Sequence, residues 1–120
     1  MKPSHHPLEH LLHATKWSIQ GLKAAWKYEQ AFRIEIVLSF AIIPLSFYLG
    51  ETHVEKALLL ASWVFVLIVE LLNSAMEAAV DRISTEFHEL SGRAKDLGSA
   101  AVFVSNILFV CIWTLLILKP

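Results

Sequence analysis

Apolar and polar positions divide the 120-residue chain into four helical segments. In the first, Leu8, Leu11, Leu12, Thr15, Ile19, Leu22 and Trp26 recur at steps of three and four. The offset positions Glu9, His10, His13, Lys16, Gln20, Lys23 and Lys27 are polar. That is the 3.6-residue period of an amphipathic helix over 8–27. Lysines opposite Leu and Trp suit a helix lying in a membrane interface. Pro3 and Pro7 make residues 1–7 poor helix.

The next three segments are long enough to cross a bilayer. A first span is expected over 30–49, although its strictly uncharged part, Ile36 to Gly50, has only fifteen residues. A crossing needs roughly 20, so the flanking residues must help. Pro44 removes one backbone donor there and predicts a kink. Residues 50–56, GETHVEK, read as a polar turn. A second span is expected over 57–83, uncharged through residue 69 and then carrying Glu70 with the helical pattern unbroken. After a polar loop, a third helix is expected over 91–118, with twenty-two uncharged residues from Leu97 to Leu118. Ser99, Ala100 and Ala101 near its start suit close helix packing. The expected architecture is all-α: one membrane domain, 1–120, with a surface helix and three transmembrane helices.

Composition agrees. The chain is 56% hydrophobic and 18% charged, with a mean hydropathy of +0.56. Soluble domains average roughly 45–50% apolar and about 25% charged. So short a chain cannot bury that surplus in a water-soluble core. The formal charge of −1 and the lack of a basic run exclude a nucleic-acid binder. One cysteine, Cys111, excludes an internal disulfide and a thiolate metal cage. The first thirty residues hold no continuous apolar run like that of a cleavable signal.

Charge sets the orientation. The N-terminal segment and the second loop hold Lys2, Lys16, Lys23, Lys27, Arg33, Arg82, Arg93 and Lys95, while the other side has Lys56 and Lys119. Eight against two puts the N-terminus and second loop in the cytoplasm and the C-terminus outside.

The chemistry-bearing feature is a stripe. Glu70, Asn73, Glu77 and Asp81 stand at i, i+3, i+7 and i+11 on one helix face. At about 1.5 Å per residue from Ala57, Glu70 lies about 20 Å in and Glu77 about 30 Å. Glu77 and Asp81 then reach the cytoplasmic interface, with Glu70 inside the apolar zone. A charge at the bilayer centre costs at least about 2.5–3.5 kcal/mol, so such groups mark function. The bland alternatives are an interhelix polar cluster, or, for Asp81 beside Arg82, a helix end emerging into water or forming an ion pair with the second loop. Aligned carboxylates with a carboxamide form an all-oxygen set of the kind Mg²⁺ takes together with phosphates. The deepest carboxylate, partly desolvated, suits a general base. Glu86, His88, Glu89, Arg93, Lys95 and Asp96 face the same surface, where cations could hold phosphates. Glu29 and Glu35 lie on that side too. No P-loop, kinase HRD or DFG set, GxSxG or HExxH is present. His6, His10 and His13 have metal-ligand spacing but read better as part of the polar helix face.

The run ELLNSAMEAAVD at 70–81, followed by EFHELSGRAKDLGSAAV, closely resembles the prokaryotic diacylglycerol kinase family. Every fixed position of E-x-x-N-S-A-x-E-x-x-V-D is met, and GLKAAW at 21–26, Glu29 and AFRIE at 31–35 match a second block. Met76 replaces a usual branched aliphatic, and His10 and Trp17 stand where members commonly carry Arg and Tyr. The resemblance spans roughly 15–118. It implies a homotrimer in the bacterial inner membrane with sites shared between protomers. It implies transfer of the ATP γ-phosphoryl group to diacylglycerol, giving phosphatidic acid, with Mg²⁺ as cofactor. It implies Glu70 as general base and Glu29 and Glu77 as metal ligands supported by Asn73. Glu29, Glu77, Asn73, Glu86, Phe87, His88, Lys95, Asp96 and Trp17 are the implied ATP contacts. Glu70, Ala31, Phe32, Arg33, Glu35, Ser99 and Trp113 are the implied lipid-side contacts. An undecaprenol kinase shares fold and signature and is the alternative substrate reading. A small proton-coupled transporter would instead predict four spans and a lone acid nearer mid-membrane.

Overall fold

The computed structural model describes residues 6–83 and 85–119. Lys2 and Pro3, used above in the charge count and the N-terminal break, and Ser84, in the polar loop after the second span, lie outside them. The described residues form four helices and no strand: α1 (Pro7–Tyr28), α2 (Gln30–Leu49), α3 (His53–Ile83) and α4 (Glu89–Ile117). The last three are long and apolar enough to cross a membrane, so the chain is a multi-pass membrane protein. At 1.5 Å per residue, α3 and α4 measure about 45 Å and overrun a hydrocarbon core of about 30 Å. Their polar ends therefore stand outside it.

Local chemistry sets the helix ends. His6 Nδ1 accepts the Leu8 N–H at 3.1 Å and Pro7 occupies the first turn, where its missing donor costs nothing. Glu29, extended at φ −114° and ψ 104°, closes α1 and opens α2. Arg33 Nη1 braces that elbow by donating to the carbonyls of Trp26 and Lys27, at 2.8 and 3.0 Å. These are carbonyls of the last turn of α1, which lack helical donors. The α2–α3 turn is shorter than the polar run suggests, because α3 starts at His53. Thr52 Oγ1 accepts the Glu55 N–H at 3.1 Å and Glu55 Oε1 accepts the Glu51 N–H at 3.2 Å, an exchange close to a capping box. A Cβ on Gly50 would fall 2.8 Å from the Lys56 backbone nitrogen, so only glycine admits this turn. Lys119 then ties the C-terminal end to the same turn, 2.6 Å from Glu55 Oε1 and 3.2 Å from Glu51 Oε2.

Helix α3 is the centre, packed against both α2 and α4. Leu59, Ser62, Trp63, Val66 and Glu70 are its buried residues. They face Phe32, Ser39 and Ser46 of α2 and Ser105 of α4, all buried. The four buried serines keep the helices close. Each hydroxyl donates to a carbonyl of its own helix, at 2.7–2.9 Å, so none is stranded in the apolar interior. Trp63 Nε1 donates to Ser39 Oγ at 2.8 Å, and Trp113 Nε1 to the Leu59 carbonyl at 3.1 Å. Phe109 sits between the two indoles, with centroids 5.1 and 5.3 Å away.

The contact face of α4 differs from the expected one. Ser99, Ala100 and Ala101 are exposed, and Gly98 and Ser105 make the close approaches. Gly98, Val102, Ser105 and Phe109 share one face of the 100° period; Ser99 is turned a full residue away.

Candidate active site

Glu70, the first member of the stripe, is 8% exposed and lies at the C-terminal end of the buried α3 face. One turn along, Asn73 Nδ2 donates to Glu77 Oε1 at 2.8 Å. A carboxamide so placed fixes a carboxylate oxygen while its own oxygen packs against Gly98 of α4. Asn73 Oδ1 is buried without a partner among the described residues, as is Glu35 Oε1 on α2. The charges of Glu29 and Glu77 act on Glu70, and that of Glu70 acts on Glu35. The elbow, α2 and α3 thus bring four carboxylates into one neighbourhood.

The approach of α4 is set by Gly98. Any Cβ there would overlap Asn73 Oδ1 and Met76 Cε. One turn before, Lys95 reaches Asp81 with Nζ 2.7 Å from Oδ1, and it also feels the charge of Glu77. Asp81 therefore pairs across helices rather than with its neighbour Arg82; adjacent residues on a helix do not face each other. Both halves of this ion pair are about half exposed, with side-chain accessibilities of 45% and 55%.

The loop residues stand at the rim. Phe87 is 94% exposed, and Glu86 and Asp96 are exposed. His88 Nδ1 accepts the Leu90 N–H at 3.0 Å as the N-cap of α4, which leaves only Nε2 for a ligand. Trp17 is exposed on α1 with its ring 5.7 Å from that of His13. A groove between α1 and α3, lined by Gly21, Ala25, Glu29, Leu71, Ala75 and others, opens beside Glu29. Phe32 is buried under the elbow, whereas Ala31 and Ser99 are exposed. Trp113 is not brought to the carboxylates. It lies at the level of Leu59, eleven residues or about 16 Å along α3 from Glu70. His6 is engaged as a cap, and no group of three His, Cys, Asp or Glu suited to a metal occurs among the described residues.

Mg²⁺ fits the donor set differently. It takes one or two carboxylates with phosphate oxygens and water, not a full protein cage. Glu29 and Glu77 are hard oxygen donors of that kind, and Asn73 holds one oxygen of Glu77. Gly98 and the Asp81–Lys95 pair carry no local signal in the sequence, apart from the roughly 1 kcal/mol that a glycine inside a helix costs.

Comparison with known proteins places these residues in a wider set. A family profile described as prokaryotic diacylglycerol kinase matches residues 16–117. The chain is 55% identical to a diacylglycerol kinase of Haemophilus influenzae over 106 residues, 88% of this chain and 90% of that one. It is 47% identical to the diacylglycerol kinase of Escherichia coli (strain K12) over 107 residues, covering 89% and 88%. It is 46% identical to that of Pseudomonas aeruginosa over 111 residues, covering 92% and 90%.

Proposed function

Because the chain belongs to the prokaryotic diacylglycerol kinase family, we propose that it transfers the ATP γ-phosphoryl group to the free hydroxyl of 1,2-diacylglycerol, giving phosphatidic acid and ADP for phospholipid recycling. One observation carries the reading into this chain. Its buried carboxylate, Glu70, stands at the head of a line that passes through the Asn73–Glu77 bond to the Asp81–Lys95 pair. A lipid hydroxyl comes from the apolar side and a nucleotide from the aqueous side, and the line joins the two.

Glu70 takes the hydroxyl proton as its oxygen attacks the γ-phosphorus and the bond to ADP breaks. Its apolar surroundings exclude water, which would otherwise compete as acceptor. Lys95 supplies positive charge where the transferring phosphoryl gathers negative charge, the dominant kind of help in phosphoryl transfer. Glu29 and Glu77, the latter steadied by Asn73, would hold Mg²⁺, which would supply charge neutralisation on the ATP phosphates. Glu86, Phe87, Asp96, His88 through Nε2, and Trp17 contact the nucleotide. Ala31, Phe32, Arg33, Glu35 and Ser99 line the lipid side, with Trp113 deeper along an acyl chain.

In this reading the chain works in the bacterial inner membrane; the Lys and Arg asymmetry supports a cytoplasmic N-terminus and site. Helix α1 lies in the interface: Leu8, Leu11, Leu12, Ile19, Leu22 and Trp26 stay 47–63% exposed on the folded chain, an apolar stripe that lipid would cover. A homotrimer with shared sites accords with how little of α4 the single chain buries. A micelle assay with labelled ATP should phosphorylate diacylglycerol in preference to monoacylglycerol and undecaprenol. Labelling of undecaprenol alone would move the substrate to the polyprenol, and labelling of no lipid would refute the kinase reading.

A further inference from the structure

Asp81 ends the acidic stripe, and the reaction described above gives it no task. It sits where α3 leaves the apolar zone, exposed enough to live in water without a partner. Yet its Oδ1 lies 2.7 Å from Lys95 Nζ on a different helix. The pair bridges α3 and α4 on the same edge as Glu77, whose charge also reaches Lys95. Two contacts along this edge fix the two helices in register, Asp81 with Lys95 and Gly98 against Asn73, and Asn73 in turn holds Glu77 on α3.

We infer that Asp81 is a positioning residue for phosphoryl transfer, holding the Lys95 ammonium so that its remaining donors face the transferring phosphoryl group. An ammonium has three N–H donors. Among the described residues Asp81 is the one ion-pair partner of Lys95, and the side chain is 45% exposed. Two donors are therefore left for an anion. A lysine side chain has four rotatable carbons and no preferred direction for its charge, unlike the planar fork of arginine. Anchoring one N–H removes much of that freedom before substrate arrives, and such preorganisation acts on the rate more than on binding. A simple helix clamp would need no lysine close to Glu77, and an exposed ion pair by itself adds little to stability. The other charges near the pair are Glu77 on α3 and Arg82 next to Asp81; neither is placed to substitute for Asp81, since Glu77 is bonded by Asn73 and Arg82 projects from an adjacent position.

The inference rests on the reading of Lys95 as a phosphate-side cation, and the test separates the two. Asp81→Asn keeps size and removes charge; Asp81→Glu keeps charge. Full-length enzyme in micelles is assayed for kcat and for the KM of ATP, with thermal inactivation followed in parallel. The expected result for Asp81→Asn is a kcat reduced about ten- to hundredfold, with the KM for ATP within about threefold and thermal inactivation unchanged. Asp81→Glu should recover a large part of the loss. In a Lys95→Met background, Asp81→Asn should cost nothing more, because its effect passes through Lys95. A kcat within about twofold of the parent for Asp81→Asn overturns the inference. So does a parallel loss of kcat and thermal stability without rescue by Glu, which would make Asp81 a structural clamp. Full activity of Lys95→Met alone would remove the underlying reading of Lys95.

Discussion

Replacing Gly98 by alanine tests whether the site depends on how closely α4 approaches α3. The new Cβ would overlap Asn73 Oδ1 and Met76 Cε, and come within 3.3 Å of Asn73 Cγ. The methionine is a flexible end and can move. The carboxamide cannot move freely, because its Nδ2 is bonded to Glu77 at 2.8 Å. Overpacking costs about 1–3 kcal/mol, and loss of a hydrogen bond to a charged group about 1.5–3 kcal/mol. Alanine returns about 0.5–1 kcal/mol through its better helix propensity. The balance is a destabilisation of about 1.5–5.5 kcal/mol, with kcat lowered about tenfold or more as Asn73 and Glu77 lose their register. Unfolding in mixed micelles and initial rates with diacylglycerol measure both. Gly21→Ala and Gly92→Ala serve as controls, since a Cβ at either meets nothing within 4 Å. These should be neutral or slightly stabilising. A Gly98→Ala enzyme as stable and as fast as the controls would refute the close-approach argument.

Glu70→Gln should abolish lipid phosphorylation, by about 10²-fold or more, while size-exclusion chromatography shows the parent's assembly; near-normal turnover would remove Glu70 as base. Glu77→Gln should shift the Mg²⁺ activation curve to higher concentration, and an unchanged titration would count against the ligand assignment. Trp63→Phe should cost about 1 kcal/mol in micellar unfolding, because the Nε1 bond to Ser39 is lost while the ring contact with Phe109 remains. An unfolding midpoint equal to that of the parent would show that the buried indole N–H contributes nothing.

The order and character of the helices were legible along the chain. Long uncharged runs between polar turns require membrane-crossing helices, because backbone groups in lipid must be satisfied within the segment. Periodicity likewise put Glu70, Asn73, Glu77 and Asp81 on one face, since that face belongs to a single helix. The elements that the sequence placed less well are those set by contact between helices. The same twenty-two uncharged residues allow any face of α4 to turn inward, so Ser99, Ala100 and Ala101 looked as suitable as Gly98 and Ser105. Lipid is as apolar as a helix core, and hydropathy therefore does not tell which side is covered.

Sequence alone thus determined the three crossings, the acidic stripe and the family, all properties of a local period or a local motif. Tertiary structure decided the rest. It chose Gly98 as the point of approach, singled out Lys95 as the partner of Asp81, and committed Arg33 to the elbow and one nitrogen of His88 to a helix cap. The physical reason is range. A helix's own period acts over three or four residues, whereas the Asp81–Lys95 pair spans fourteen positions and two helices, and exists only once α3 and α4 have set their crossing.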